Sequence, residues 1–202
     1  MSFSAVSSAT MLCVGVVLWG TSAIAQPSVE RCAGTVCLRD RRLTEDAFVE
    51  RYGPGMLVTD PDEPRLHRHC FFLGVSSHSA LFTFDRASTQ RKAELVSILL
   101  SDVELCPIRV LPKRDLGRIA TERGIAIGNR RDEIERALGR PHRTDRVETS
   151  AENGLNARAD INYSPRLGRT RLVYEIEQDT LFNFFYLGET GRLSSVLLDD
   201  SP

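Results

Sequence analysis

Residues 1–25 carry no charged side chain, no cysteine follows Cys106, and neither Gly-x-Ser-x-Gly nor Cys-x-x-Cys occurs anywhere in the chain. Each absence excludes something. An uncharged stretch is unsuited to a solvated surface and points to a leader. A second half without cysteine must hold together by its core alone. The missing motifs remove the serine nucleophile elbow and the dithiol redox site. An excess of either charge is missing too. The chain has 26 Lys and Arg against 27 Asp and Glu, a net charge of −1, which argues against nucleic acid as a general partner.

The leader reads as a secretory signal peptide. Met11 to Trp19 is a short apolar core, and Ala23-Ile24-Ala25 before Gln26 fits a small-x-small cleavage site, although no Lys or Arg precedes the core. An uncleaved anchor is the alternative, but a membrane span needs about 20 apolar residues. The expected product is a periplasmic or secreted protein with no stable membrane span after cleavage. Cys32, Cys37, Cys70 and Cys106 then remain, and an even number in an exported chain reads as two disulfides. Three pairings are open. Cys32–Cys37, within one short loop, together with Cys70–Cys106 is the favoured one. A zinc site is disfavoured, because Cys-x4-Cys lacks two further closely spaced ligands.

The chain repeats a pattern. Thr44 to Tyr52 reads as a short helix, with Thr44 as N-cap, Glu45 and Asp46 in the first turn, a Leu43–Phe48 staple, and Gly53-Pro54 as the stop. Strands follow at His67–Leu73, Ala80–Phe84 and Leu95–Leu100. Arg114–Glu122 reads as a second helix. A third starts at Asn129, with Asp132 at N3 and a stripe of Ile134, Ala137 and Leu138, and stops at Gly139 and Pro141. Residues 143–169 are long and polar, with one strand-like run at Asp160–Tyr163. Leu172–Ile176, Leu181–Leu187 and Leu193–Leu198 close the pattern as strands. The expected fold class is α+β, with two tandem helix-plus-antiparallel-sheet units. The expected organisation is a signal peptide at 1–25, a disulfide-bearing unit at 26–106 and a second unit at 107–202.

Leu116-x-x-Ile119, followed by Ile127-Gly128-Asn129-Arg130-x-x-x-Ile134-x-x-x-Leu138-Gly139-x-Pro141, resembles the repeat of the secreted β-lactamase inhibitor proteins. It is also similar to the unit found in the small outer-membrane assembly lipoproteins. The resemblance runs over 114–200 and extends to 32–102. It implies a fold of helix–helix–sheet units and a non-catalytic binding surface. It fixes no contact residues.

Candidate sites follow from the residues themselves. His67-x-His69 places two imidazoles on one strand face, and His78 could approach across a hairpin. Flanking Arg65 and Arg68 oppose a cation, and no carboxylate is fixed nearby by spacing, so no metal is expected. No cofactor motif is present. Glu175 and Glu177 share a strand face that reads as solvated. Phe182, Phe184 and Tyr186 line one side of a strand that is apolar on both sides, which makes them a candidate interface. Arg114, Arg118, Arg130 and Arg131 belong to a basic group around the join between the units and form a second candidate surface, here for an acidic protein or anionic surface. The leading expectation is an exported, non-catalytic binding or inhibitory protein acting on another protein. A cell-envelope structural or assembly factor is the alternative, and a hydrolase of unfamiliar type ranks third.

Overall fold

The structure is a computed structural model that describes residues 28–59, 63–74, 78–86, 93–116, 120–147, 168–176 and 180–200. The leader, Arg118, Ile119, Glu177 and the run at Asp160–Tyr163 lie outside the described residues.

A two-residue hairpin opens the fold, β1 (Cys32–Ala33) with β2 (Val36–Cys37). Helix α1 (Glu45–Tyr52) follows, then β3 (Met56–Val58), β4 (Leu66–Phe72), β5 (Ser79–Asp85) and β6 (Glu94–Ser101). Helix α2 (Arg131–Leu138) precedes β7 (Arg143–Arg146), β8 (Thr170–Glu175), β9 (Phe182–Leu187) and β10 (Leu193–Asp199). The eight longer-range strands form one antiparallel sheet in the order β3-β4-β5-β6-β10-β9-β8-β7. The pair at its centre, β6 with β10, joins Leu100 to Val196 and Ile98 to Leu198.

That pairing overturns the expected fold class. The described chain is mostly β, with two short helices among the described residues, and does not divide into two helix-plus-sheet units. Adjacent leucines, Leu99 and Leu100 on β6 and Leu197 and Leu198 on β10, point to opposite faces and are all buried, so neither strand can be a solvated edge, and each satisfies its backbone on the other. One apolar cluster runs under both helices and includes Phe48, Phe82 and Leu116 together with Ile134, Phe185 and Val196.

The expected helix over Arg114–Glu122 does not form in its described part. Its carbonyls serve the hairpin instead. Gly34 N–H donates to Ala120 O at 2.9 Å and Thr35 N–H to Leu116 O at 3.2 Å, while Thr121 N–H turns back to Ile125 O. Ala120 and Thr121 form bridges with Ala126 and Ala33. Helix α2 starts one residue later than the cap reading placed it, at Arg131, with Glu133 at N3. Asn129 is occupied otherwise, since its side-chain oxygen accepts from Ala126 N at 2.7 Å. Helix α1 matches its sequence signals. Thr44 Oγ1 accepts from Ala47 N, and Gly53, at φ 92°, returns its N–H to Val49 O.

Both expected disulfides are present, Cys32–Cys37 and Cys70–Cys106. They fit an oxidising compartment outside the cytosol. No described helix is long and apolar enough to cross a membrane. Cys106 sits on a strap, residues 102–116, that begins on the face away from the helices. Leu105 and Cys106 pack there on Leu81 and Leu99, and Leu105 N–H donates to Ser79 Oγ at 3.1 Å. The strap then passes the outer side of β4, where Phe72 N–H donates to Val110 O at 2.8 Å. It ends with Leu116 buried among the helix-side residues.

Candidate functional site

Three places gather chemistry. The first lies where α1 meets β4. Alternation along β4 turns His67 and His69 toward the helix, and Glu45, in the first turn of α1, reaches between them. Glu45 Oε1 is 2.9 Å from His67 Nδ1 and 3.0 Å from His69 Nε2, and Oε2 accepts from Arg86 Nε at 2.6 Å. Pro54 O, which can only accept, lies 2.7 Å from His69 Nδ1, so that nitrogen carries a proton. His69 therefore stands between two acceptors, and the pattern is complete when both ring nitrogens donate. Burial alone would push the Glu45 carboxyl up; the bonds from Arg86, His69 and His67 together outweigh it and hold the group below its ordinary value.

This cluster corrects the sequence reading at one point: a carboxylate does face the histidines. Nothing in the spacing signals it, because Glu45 and His67 meet only through the docking of α1 on the sheet. His78, by contrast, stands at the other end of β5, beside Leu73. There it lines a cavity of about 140 Å³ with Leu100, Ser101, Ala126 and Ile127. That volume is below the roughly 300–1,000 Å³ of sites that enclose a small ligand. Cys32, Cys37 and Glu122 also converge, with Glu122 Oε1 2.8 Å from Cys32 Sγ, but the two sulfurs are bonded to each other.

The second place is the sheet face away from the helices. Register sets its side chains in rows. One is apolar, through Met56, Cys70, Leu81, Leu99, Leu197, Phe184 and Val173. A neighbouring row runs Phe72, Ser79, Ser101, Ser195, Tyr186 and Arg171. Phe182 and Phe184 are half-buried and stacked, with centroids 6.0 Å apart and planes 12° apart. The Arg171 guanidinium lies 5.2 Å from the Phe184 ring and donates to Asp145 at 2.9 Å. Tyr186, the third residue of the aromatic candidate surface, is fully buried. Val173 and Arg171 are buried as well and Glu175 is half-buried, so this face is not the solvated one that the carboxylate spacing suggested. Arg114, Arg130 and Arg131 are exposed, and the last two pair with Asp132 at 3.1 Å and Glu135 at 2.6 Å.

The third place is the β3 margin. Among the described residues the exposed large hydrophobics are Leu57, at 47% of its free area, and Ile108 and Leu111, each at 62%. Leu57 is on β3, and the other two flank Val110 on the strap. Sequence reading passed over all three, because a three-residue strand and an irregular strap have no period to read.

No family model matches this chain, and no curated protein matches it. Among solved structures it is similar to a DUF4309 family protein (YjgB) from Bacillus subtilis subsp. subtilis str. 168, with 12% identity over 83% of each chain and a TM-score of 0.44. A likeness this distant fixes neither family nor activity.

Proposed function

We propose that this is an exported protein that acts by binding another protein, without chemistry of its own. One observation carries the reading: the large apolar side chains left exposed among the described residues lie on edge strand β3 and on the strap segment that pairs with the end of β4 at Phe72. The strongly held titratable groups support it. Glu45 is spent on three partners, and Glu30, fully buried, accepts from Arg123 N at 3.1 Å while its backbone pairs with the Asn183 amide. Both serve as joints between elements. Export follows from the leader pattern and fits the two disulfides.

The test is a complex. Mature protein beginning at Gln26, immobilised and exposed to envelope extract, is expected to retain a protein at fixed stoichiometry, confirmed by co-elution in size-exclusion chromatography with both components purified. Turnover of an ester, peptide or glycan by the pure protein would overturn the non-catalytic reading. An N-terminus at Met1 in protein from cells would overturn export.

A further inference from the structure

We infer that the open side of β3 is a docking edge for an extended segment of the partner protein, which joins the sheet as an added strand. The inference rests on the binding role proposed above and deepens it.

The two edges of the sheet are unlike. β7 reads Arg143-Thr144-Asp145-Arg146, with Arg143 and Asp145 2.9 Å apart and Asp145 also held by Arg171. Charge along an edge opposes pairing with another chain. β3 reads Met56-Leu57-Val58 and carries no charge, and among the described residues no strand lies beyond it. Its backbone is a template, and the exposed side chains stand beside that template. Leu57 projects from the strand itself. Ile108 and Leu111 flank Val110, which continues the line along the outer side of β4 by accepting from Phe72 N.

The edge is also held rigid. Gly55, at φ 61°, lets the chain enter β3 so close to β4 that an added Cβ would lie 2.9 Å from Cys70 O and 2.9 Å from the Phe71 ring. The Cys70–Cys106 bond fixes the strap to the same strand. A preformed edge spares the ordering cost of binding.

Size selects the occupant. Three residues of strand are about 10 Å long. Pairing β3 with its own copy would bury far less than the roughly 1,200–2,000 Å² of a stable protein interface. An extended peptide needs less, since main-chain hydrogen bonds supply affinity and alternate side chains find apolar neighbours.

The test selects a displayed random-peptide library on the mature protein. Enriched peptides are expected to alternate apolar residues, to slow amide exchange at Leu57, whose backbone faces the open side, and to bind Leu57→Lys protein at least about tenfold more weakly. Leu57 is nearly half exposed, so the variant is expected to keep its fold, checked by circular dichroism. Thr144→Lys on β7 is expected to leave affinity unchanged. Absence of enrichment, equal binding to Leu57→Lys, or loss through Thr144→Lys would each overturn the inference. So would a dimer in sedimentation that Leu57→Lys dissociates, because the occupant would then be a second copy. Repeating the envelope capture with Leu57→Lys separates the two claims. A partner retained in full removes the edge and leaves the binding role, whereas no partner on the unsubstituted protein removes the binding role.

Discussion

The two halves of the sheet solve the same packing problem with different materials. Over β4 and β5, α1 lays Phe48 among Tyr52, His69, Phe71, Phe82 and Phe84, at centroid distances of 4.9 to 5.9 Å. Over β8 and β9, α2 offers Ile134 and Leu138, and the close ring pair is Tyr174 edge-on to Phe185 at 5.5 Å. The Tyr174 hydroxyl donates to Gly139 O at 3.1 Å, which ties the end of α2 to the sheet, and burial pushes its phenol up. The aromatic half is also the one with the Cys70–Cys106 bond. The cross-link therefore does not compensate for a thin core beneath α1. It lies on the opposite face and holds the strap.

If that contrast is right, Phe48→Ala is the most damaging single change, at about 3–5 kcal/mol, with Leu138→Ala about 2–3 kcal/mol. Urea midpoints measure both, and a reversed order would show that the aliphatic half is the better packed. Replacing Cys70 and Cys106 together by Ala is expected to cost about 2–4 kcal/mol, since the bond closes a separation of 36 residues. Because the strap carries Leu111 and Ile108, the same change should speed amide exchange around Val110 before it unfolds the rest. Uniform loosening would mean that the bond acts on the whole sheet.

The two buried glutamates sharpen the contrast through pH. Glu45 is held below its ordinary value despite desolvation, so its contribution is present above the unfolded carboxylate range, near pH ~4, and is lost as pH falls through the folded value. Glu30 is opposite. Burial pushes it up more strongly than the Arg123 amide and the Thr121 hydroxyl pull it down, so its folded form prefers the proton. Stability from Glu30 therefore declines as pH rises from ~4 through that raised value. Glu45→Gln should cost about 1–3 kcal/mol at pH 7 by leaving donors underserved. It should also flatten the acid side of the stability curve. Glu30→Gln should cost less than half as much and remove the opposite slope. Matching slopes for both variants would show that the two sites are equivalent. The smallest expected effect is Arg131→Ala, under about 0.5 kcal/mol in urea, because its pair with Glu135 is an exposed i,i+4 bridge.

Local signals in the sequence located most of the elements and missed how they assemble. Thr44, Gly53 and Gly139 marked helix ends because caps act within a turn. The alternation of Phe182 to Leu187 gave the two faces of β9 because a strand's period is two. β7 was missed because an edge strand of Arg, Thr and Asp has no apolar face to betray it. The described part of Arg114–Glu122 is not helical because, although Leu116 and Ala120 are buried, its carbonyls are claimed from far along the chain, as Thr35 to Leu116, 81 residues apart, shows. The Glu45 cluster and the β3 margin were invisible for the same reason, since both are made by docking rather than by spacing.

The central pair of strands also has a consequence for how the protein is made. Ser101 and Ser195, whose hydroxyls meet at 2.7 Å, are 94 residues apart. At the pace of synthesis, about 5–20 residues per second, β6 waits roughly 5–20 s for its partner with Ile98 and Leu100 on an open edge. A nascent chain stalled before Leu193 is therefore expected to cross-link to a holding chaperone where the finished chain does not.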